Sequence, residues 1–142
     1  MIKKIIWKII AKLLKVSKNN NKTDSLIIIN KKLAQKISEI KKENNQRNSG
    51  INEAIILSAL SAIKKEKKKN NNIREDGYFF TTVEELKEIT TLSKNFQRTS
   101  IKNLKKFDLV TTDRKGLPSK RYFKINEEKI LKFIGVNEFL NN

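Results

Sequence analysis

The stretch Leu92–Val110, LSKNFQRTSIKNLKKFDLV, decides how this chain folds. Projected as an α-helix at about 100° per residue, Phe96, Ser100, Ile101, Leu104 and Phe107 fall within one arc of roughly 140°. Lys94, Asn95, Arg98, Thr99, Lys102, Lys105 and Lys106 take the remaining arc, with no acidic residue among them. The spacing predicts a helix capped by Ser93 and running to about Phe107. One side anchors it to a core and the other offers cations to a negatively charged groove.

The flanking segments give that helix a setting. Upstream, Thr82 and Glu85 form the T-x-x-E pattern of a capping box ahead of VEELKEIT, whose Val83, Leu86 and Ile89 face inward. Its glutamates suit a helix N-terminus, and Thr91 and Leu92 make the turn into the next helix. Gly77 opens GYFF, a short strand. Downstream, LVTT, a polar Gly116–Ser119 turn and KRYFKI read as a β-hairpin. Phe123 and Ile125 are expected to point inward, Tyr122 and Lys124 outward. The aromatics are therefore expected mostly in the core, not as the exposed stacking platform of single-strand binders. The hairpin tip gathers Arg114, Lys115, Lys120 and Arg121, either to meet a polyanion or to deter pairing of an exposed sheet edge.

Further out the signals are coarser. INEAIILSALSAIKK places Ile51, Ala54, Ile55, Leu57, Leu60 and Ile63 at helical intervals, and KEKKKNNN is expected to end that helix as a charged loop. Asn30 caps KKLAQKISEI, with Leu33, Ile37 and Ile40 on one side. Lys41–Gly50 holds no apolar residue and reads as a loop or a frayed helix end, while LIII at Leu26–Ile29 reads as a buried strand. Asn126 caps EEKILKFI and Gly135 stops it. Helix, strand, helix, tight turn, helix, hairpin is the order of a winged helix-turn-helix, so an α+β fold with an N-terminal helical extension is expected.

Residues 1–16, MIKKIIWKIIAKLLKV, form a basic amphipathic helix followed by a polar linker at 17–25. The winged domain then occupies 26–135 and a tail 136–142. Lys8 and Lys12 interrupt the apolar run, so a signal peptide is not expected, and the run is too short to span a bilayer. Two readings stay open for it. It lies at a membrane interface with Trp7 near the headgroups, or it covers an apolar patch on the domain or on a second subunit.

Composition bounds the chemistry. The chain has 142 residues, 32 Lys and Arg against 15 Asp and Glu, and a formal charge of +17. Part of that excess is compositional, since Lys, Asn and Ile are over-used throughout, and position matters more than the total. Residues 73–116 carry nine basic and seven acidic side chains, so a binding face there depends on where each charge points. Zero Cys excludes disulfides, thiol nucleophiles and zinc–thiolate sites, and zero His removes the commonest general base. No Gly-rich phosphate loop, metal-ligand spacing or paired-carboxylate motif is present, and Tyr122 beside Arg121 is a poor candidate for a strand-cleaving nucleophile. A non-enzymatic protein without metal or cofactor is expected.

The residues also match a family pattern. Leu92–Val110 resembles the recognition segment of winged helix-turn-helix proteins from phages and conjugative plasmids of low-GC Gram-positive bacteria. LIIINKKLAQKI and INEAIILSAL resemble their N-terminal elements, and RYFKINEEKI resembles the strand that closes their wing. The likeness spans Leu26 to Ile134, with an extra polar insertion around Glu43–Ser49. It implies DNA binding in the replication, transfer or regulation of mobile elements. Two residues depart from the pattern. Asp108 stands where Gly is usual, a mild change because Asp tolerates the left-handed backbone. Gln97 stands where an apolar residue is usual, which implies a rotated helix with Phe96 taking the core position.

Reach along the helix assigns roles. Lys94, Asn95 and Arg98 lie in the first turns that meet base edges, with Arg98 suited to guanine and Asn95 to adenine. Thr99 and Lys102 suit phosphate, while Lys105 and Lys106 sit too far back. Arg114, Lys115, Lys120 and Arg121 place the wing on the minor groove or the flanking backbone. The expected function is a cytoplasmic, site-specific double-stranded DNA-binding protein that marks an origin of replication or conjugative transfer for a larger enzyme. A transcriptional regulator built on the same module and a peripheral membrane protein anchored by helix 1–16 remain the alternatives. A homodimer through helix 1–16 or the helix around Ile130–Phe139 and an array of monomers on repeated sites are equally open.

Overall fold

Asn30 accepts a hydrogen bond from the Leu33 N–H at 3.1 Å through Oδ1, and a helix starts there. This is α1, Lys31–Glu43, in a computed structural model that describes residues 29–46 and 48–135. The elements α2 (Ile51–Lys69), β1 (Phe79–Phe80), α3 (Val83–Thr90), α4 (Lys94–Lys106), β2 (Val110–Lys115), β3 (Lys120–Ile125) and α5 (Glu127–Phe133) follow. Helix 1–16, linker 17–25 and tail 136–142 lie outside the described residues, as do Leu26, Ile27 and Ile28 of the expected first strand. Ile29, the described member of that run, is in no strand and is exposed.

Two boundaries differ from expectation. α1 continues into the polar segment as far as Glu43, and its Lys41 is buried. α2 runs through KEKKK to Lys69, because lysine and glutamate are good helix formers and three lysines in the last turn complement the helix dipole. The buried side of α2 also differs. Glu53, Ala54, Ile56, Leu57, Ala59, Leu60 and Ile63 are buried, while Ile51 is exposed and Ile55 only half-buried. α1 and α2 meet closely at Gly50, where a Cβ would fall 2.7 Å from the Ile37 Cβ.

α2 is the central helix. It packs against α1, α3, α4 and β3, and its Ile56, Leu60 and Ile63 join Leu33, Ile37, Leu86, Ile101, Leu104 and Phe123 in one core. Thr82 caps α3 as expected, accepting from the Glu85 N–H at 3.1 Å. The return half of the box differs, because the Glu85 carboxylate accepts from the Thr81 hydroxyl at 2.6 Å. Thr91, at φ 62°, then turns the chain from α3 to α4, and its N–H closes on the Lys87 carbonyl at 2.8 Å.

The sheet is antiparallel in the order β1-β3-β2. Phe79 pairs with Phe123 and Val110 with Ile125, all four buried toward the helices. Asp108 enters β2 with φ 57°, the left-handed conformation anticipated for it. Asn126 does not cap α5 with its side chain; its amide instead donates to the Asp108 carbonyl at 2.6 Å, tying the end of β3 to the start of the hairpin. Gly135 ends α5 at φ 78°. The arrangement is an α+β winged helix-turn-helix, with α3 and α4 as the paired helices and β2–β3 as the wing.

Candidate nucleic-acid interface

α4 is held to the core by Gln97, Ser100, Ile101 and Leu104. The buried arc is therefore turned from the expected one, and in the direction opposite to that read from Gln97. Phe96 does not take the core position; it is 54 % exposed, and Gln97 is 1 % exposed. The reason is local hydrogen bonding. The Gln97 amide donates to the Val83 carbonyl at 3.1 Å and the Leu92 carbonyl at 2.9 Å, joining the start of α3 to the turn before α4. The two bonds satisfy the amide nitrogen while Oε1 stays buried without a hydrogen-bond partner, and no apolar side chain could satisfy both carbonyls.

Lys94, Asn95, Arg98, Thr99 and Lys102 are all exposed, on the side of α4 away from the core. Asn95 Oδ1 accepts from the Arg98 guanidinium at 2.9 Å, which aligns the two residues while leaving other N–H donors on each. The Thr99 hydroxyl donates to the Asn95 carbonyl at 3.1 Å. Its single donor is thus engaged within the helix, and a phosphate contact would require breaking that bond. Lys102, Lys105 and Lys106 line an open cleft with Thr99 and Asn103, facing Gln46 and Asn48 beyond α1. The two lysines set aside as too far back therefore border the same recess as Thr99 and Lys102.

The wing divides its cations between two faces. Arg114 pairs with Arg121 and Lys115 with Lys120 across the hairpin. Because side chains alternate, Arg114 and Arg121 share the face of Phe123 and Ile125, toward the helices, whereas Lys115 and Lys120 share the outer face. Arg121 is half-buried with its guanidinium 4.8 Å from the Phe123 ring centroid. Burial, and then the charge of Arg114, push its pKa below the ordinary arginine value. Two opposed cations in one rung destabilise a bare hairpin, and a nearby anion relieves them.

The outer face of the sheet is more aromatic than expected. Tyr78, Phe80 and Tyr122 are half-buried there, with Phe80 and Tyr122 5.8 Å apart. Arg74 lies 5.0 Å from the centroids of both Tyr78 and Tyr122 and donates to Asp113 at 2.9 Å and to Asp76. Cations thus cover these rings, and Lys120 sits 5.2 Å from the centroid of Phe80.

Three residues that brace α4 were not singled out from sequence. Lys41 of α1 and Glu53 of α2 form a buried ion pair, and the Asn103 amide of α4 donates to Glu53 Oε1 at 2.8 Å. Lys41 also donates to the Ser49 carbonyl at 3.1 Å. Both charges stand on the apolar stripes of their helices, Leu33–Ile37–Lys41 and Glu53–Leu57–Leu60, which is the signal that could have found them. Among the described residues no group of three or more acidic side chains is placed to hold a metal ion, and no helix is long and apolar enough to cross a membrane.

Comparison with known proteins gives the fold independent support. No protein-family model matches the chain, and no curated protein matches it. Among solved structures it is similar to the N-terminal domain of a DNA binding protein, at 24 % identity and a TM-score of 0.52, over 80 % of this chain and 92 % of that one. It is also similar to a chain in the structure of a Rep-DNA complex, at 23 % identity and a TM-score of 0.52, over 72 % of this chain and 75 % of that one. At such identities the shared property is the fold alone.

Proposed function

We propose that this chain is a non-enzymatic, site-specific double-stranded DNA-binding protein, with α4 in the major groove and the β2–β3 wing on the adjacent minor groove or backbone. The observation that carries this reading is the outer face of α4. Its exposed residues include Lys94, Arg98, Lys102, Lys105 and Lys106, and the helix contains no acid to oppose them. A core-anchored helix with an unopposed cationic face meets the two requirements of groove binding, fixed orientation and counterion release. The names of the two structural neighbours, a DNA binding protein and a Rep-DNA complex, favour the same reading.

Within it, Asn95 and Arg98 read base edges, Lys94 and Lys102 hold phosphate with Thr99 beside them, and Arg114, Lys115, Lys120 and Arg121 clamp the flank. The preferred site lies at an origin of replication or conjugative transfer, where the protein presents DNA to a larger enzyme; the Rep-DNA neighbour favours replication. Selection from a random duplex pool, followed by gel retardation over a salt series, tests the proposal. Arg98→Ala should weaken the selected site by about 1–3 kcal/mol and leave random duplex nearly unchanged. Lys115→Ala should weaken both alike and reduce the salt slope by about 1. Equal losses on both duplexes for Arg98→Ala remove it from base readout. Absence of retardation at low ionic strength sinks the whole reading.

A further inference from the structure

Phe96 is the third residue of α4 and, among the described residues, the exposed large apolar side chain of that helix. At about 100° per residue it lies nearest Thr99 and then Asn95 on the exposed side, on the flank of α4 opposite Arg98. Gln97, not the phenyl ring, occupies the buried place beside it. Leaving about half of a phenyl ring in water forgoes the burial that a core Phe contributes.

We infer that Phe96 is a specificity-determining residue that reads thymine through its C5-methyl group. The inference rests on the proposed DNA-binding reading and adds a base preference to it. In the major groove thymine alone among the four bases carries a methyl group on its edge; cytosine has only a C5–H there, and the purines present chiefly hydrogen-bonding atoms. Charge decides against an apolar protein surface as the occupant. The exposed face that continues from the ring through Thr99 and Asn95 carries Lys102, Arg98 and Lys94, with no acid on α4, so a surface that covers the ring together with that face must accept cations. Duplex DNA supplies a methyl group and the phosphates together.

The test uses the full-length protein and a duplex it selects from a random pool. Deoxyuridine replaces thymine one position at a time, which removes only the methyl group. At one position the unaltered protein should lose about fourfold in affinity, the worth of one buried methyl group. Phe96→Ala should bind the thymine and uracil duplexes alike at that position, with unchanged affinity for random duplex and an unchanged melting temperature. Phe96→Leu should keep part of the discrimination. Uracil sensitivity that persists undiminished in Phe96→Ala, or uracil tolerance at every thymine in the unaltered protein, overturns the inference. So does a fall in melting temperature or in self-association for Phe96→Ala, since either places the ring against protein. Failure of the unaltered protein to retain any duplex is a separate result: it removes the DNA-binding reading, and the inference falls with it.

Discussion

Behind the outer face of α4, Lys41, Glu53 and Asn103 join α1, α2 and α4 in the interior, with Lys41 and Glu53 6 % and 1 % exposed. Behind the wing, Arg74 joins the turn before β1 to Asp113 of β2, with Asp76 as a second acceptor, and here water reaches the partners: Asp76 is 49 % exposed. Both clusters brace an element proposed to face DNA, and both are built from opposite charges. Solvation separates them. An interior charge that loses its partner has nowhere to go, whereas a surface charge returns to water. Position of α4 should therefore depend steeply on its cluster, and position of the wing only weakly on its own.

The largest effect should follow from breaking the interior cluster on one side. Glu53→Ala leaves the Lys41 ammonium buried with the Ser49 carbonyl as its acceptor, and strands the Asn103 amide. A loss of about 3–5 kcal/mol in urea unfolding is expected. Replacing the pair together, Lys41→Met with Glu53→Leu, removes the charge problem and should recover most of that loss. If the double variant is as unstable as the single one, charge burial is not what sets the cost, and the contrast drawn between the two clusters fails.

This cluster also marks the limit of what the residues reveal unaided. Asn30 and Thr82 were legible because each obeys a local rule of capping that needs no knowledge of distant contacts, and Asp108 because the resemblance puts a Gly at its place. The paired helices and the hairpin were legible from periodicity together with cap and turn residues. Lys41 and Glu53 were not, because a helix read by itself assigns charges to solvent, and only their meeting across the α1–α2 turn makes both burials tolerable. Gln97 and Phe96 exchanged roles for a similar reason. A projection ranks side chains by polarity, but the Val83 and Leu92 carbonyls that hold Gln97 belong to other segments. The cationic outer face of α4 was readable; which cations share a face of the wing required the strand register.

An intermediate effect, with opposite signs in two measurements, should come from the wing. Arg114 opposes Arg121, and their repulsion is an internal cost of the free hairpin. Arg114→Thr should raise stability by a few tenths of a kcal/mol in thermal or urea unfolding. The same change should weaken duplex binding regardless of sequence and make the salt slope shallower by about 1. Such a split identifies the rung as one whose charge is useful only against an anion. A gain in stability with undiminished DNA affinity would assign Arg114 to the hairpin edge alone.

The smallest effect belongs to the solvent-exposed clamp, and pH isolates it. Burial by itself would raise the Asp76 carboxyl, but the hydrogen bond and charge of Arg74 outweigh it and hold the pKa below the usual carboxylate value. Arg74 is raised in turn, chiefly by its hydrogen bond to Asp113, so it stays charged throughout the accessible range. A depressed carboxylate stabilises the fold above its unfolded pKa, and that contribution disappears as pH falls through the folded value. The melting-temperature gap between the unaltered protein and Asp76→Asn should therefore be small and constant from pH 8 to about 5, then close below about pH 4. The chain has no His, so no other side chain with an ordinary pKa titrates between pH 5 and 8 to obscure the plateau. A gap that changes across that interval would mean Asp76 is held by something other than Arg74, and the wing would then be braced by more than a surface pair.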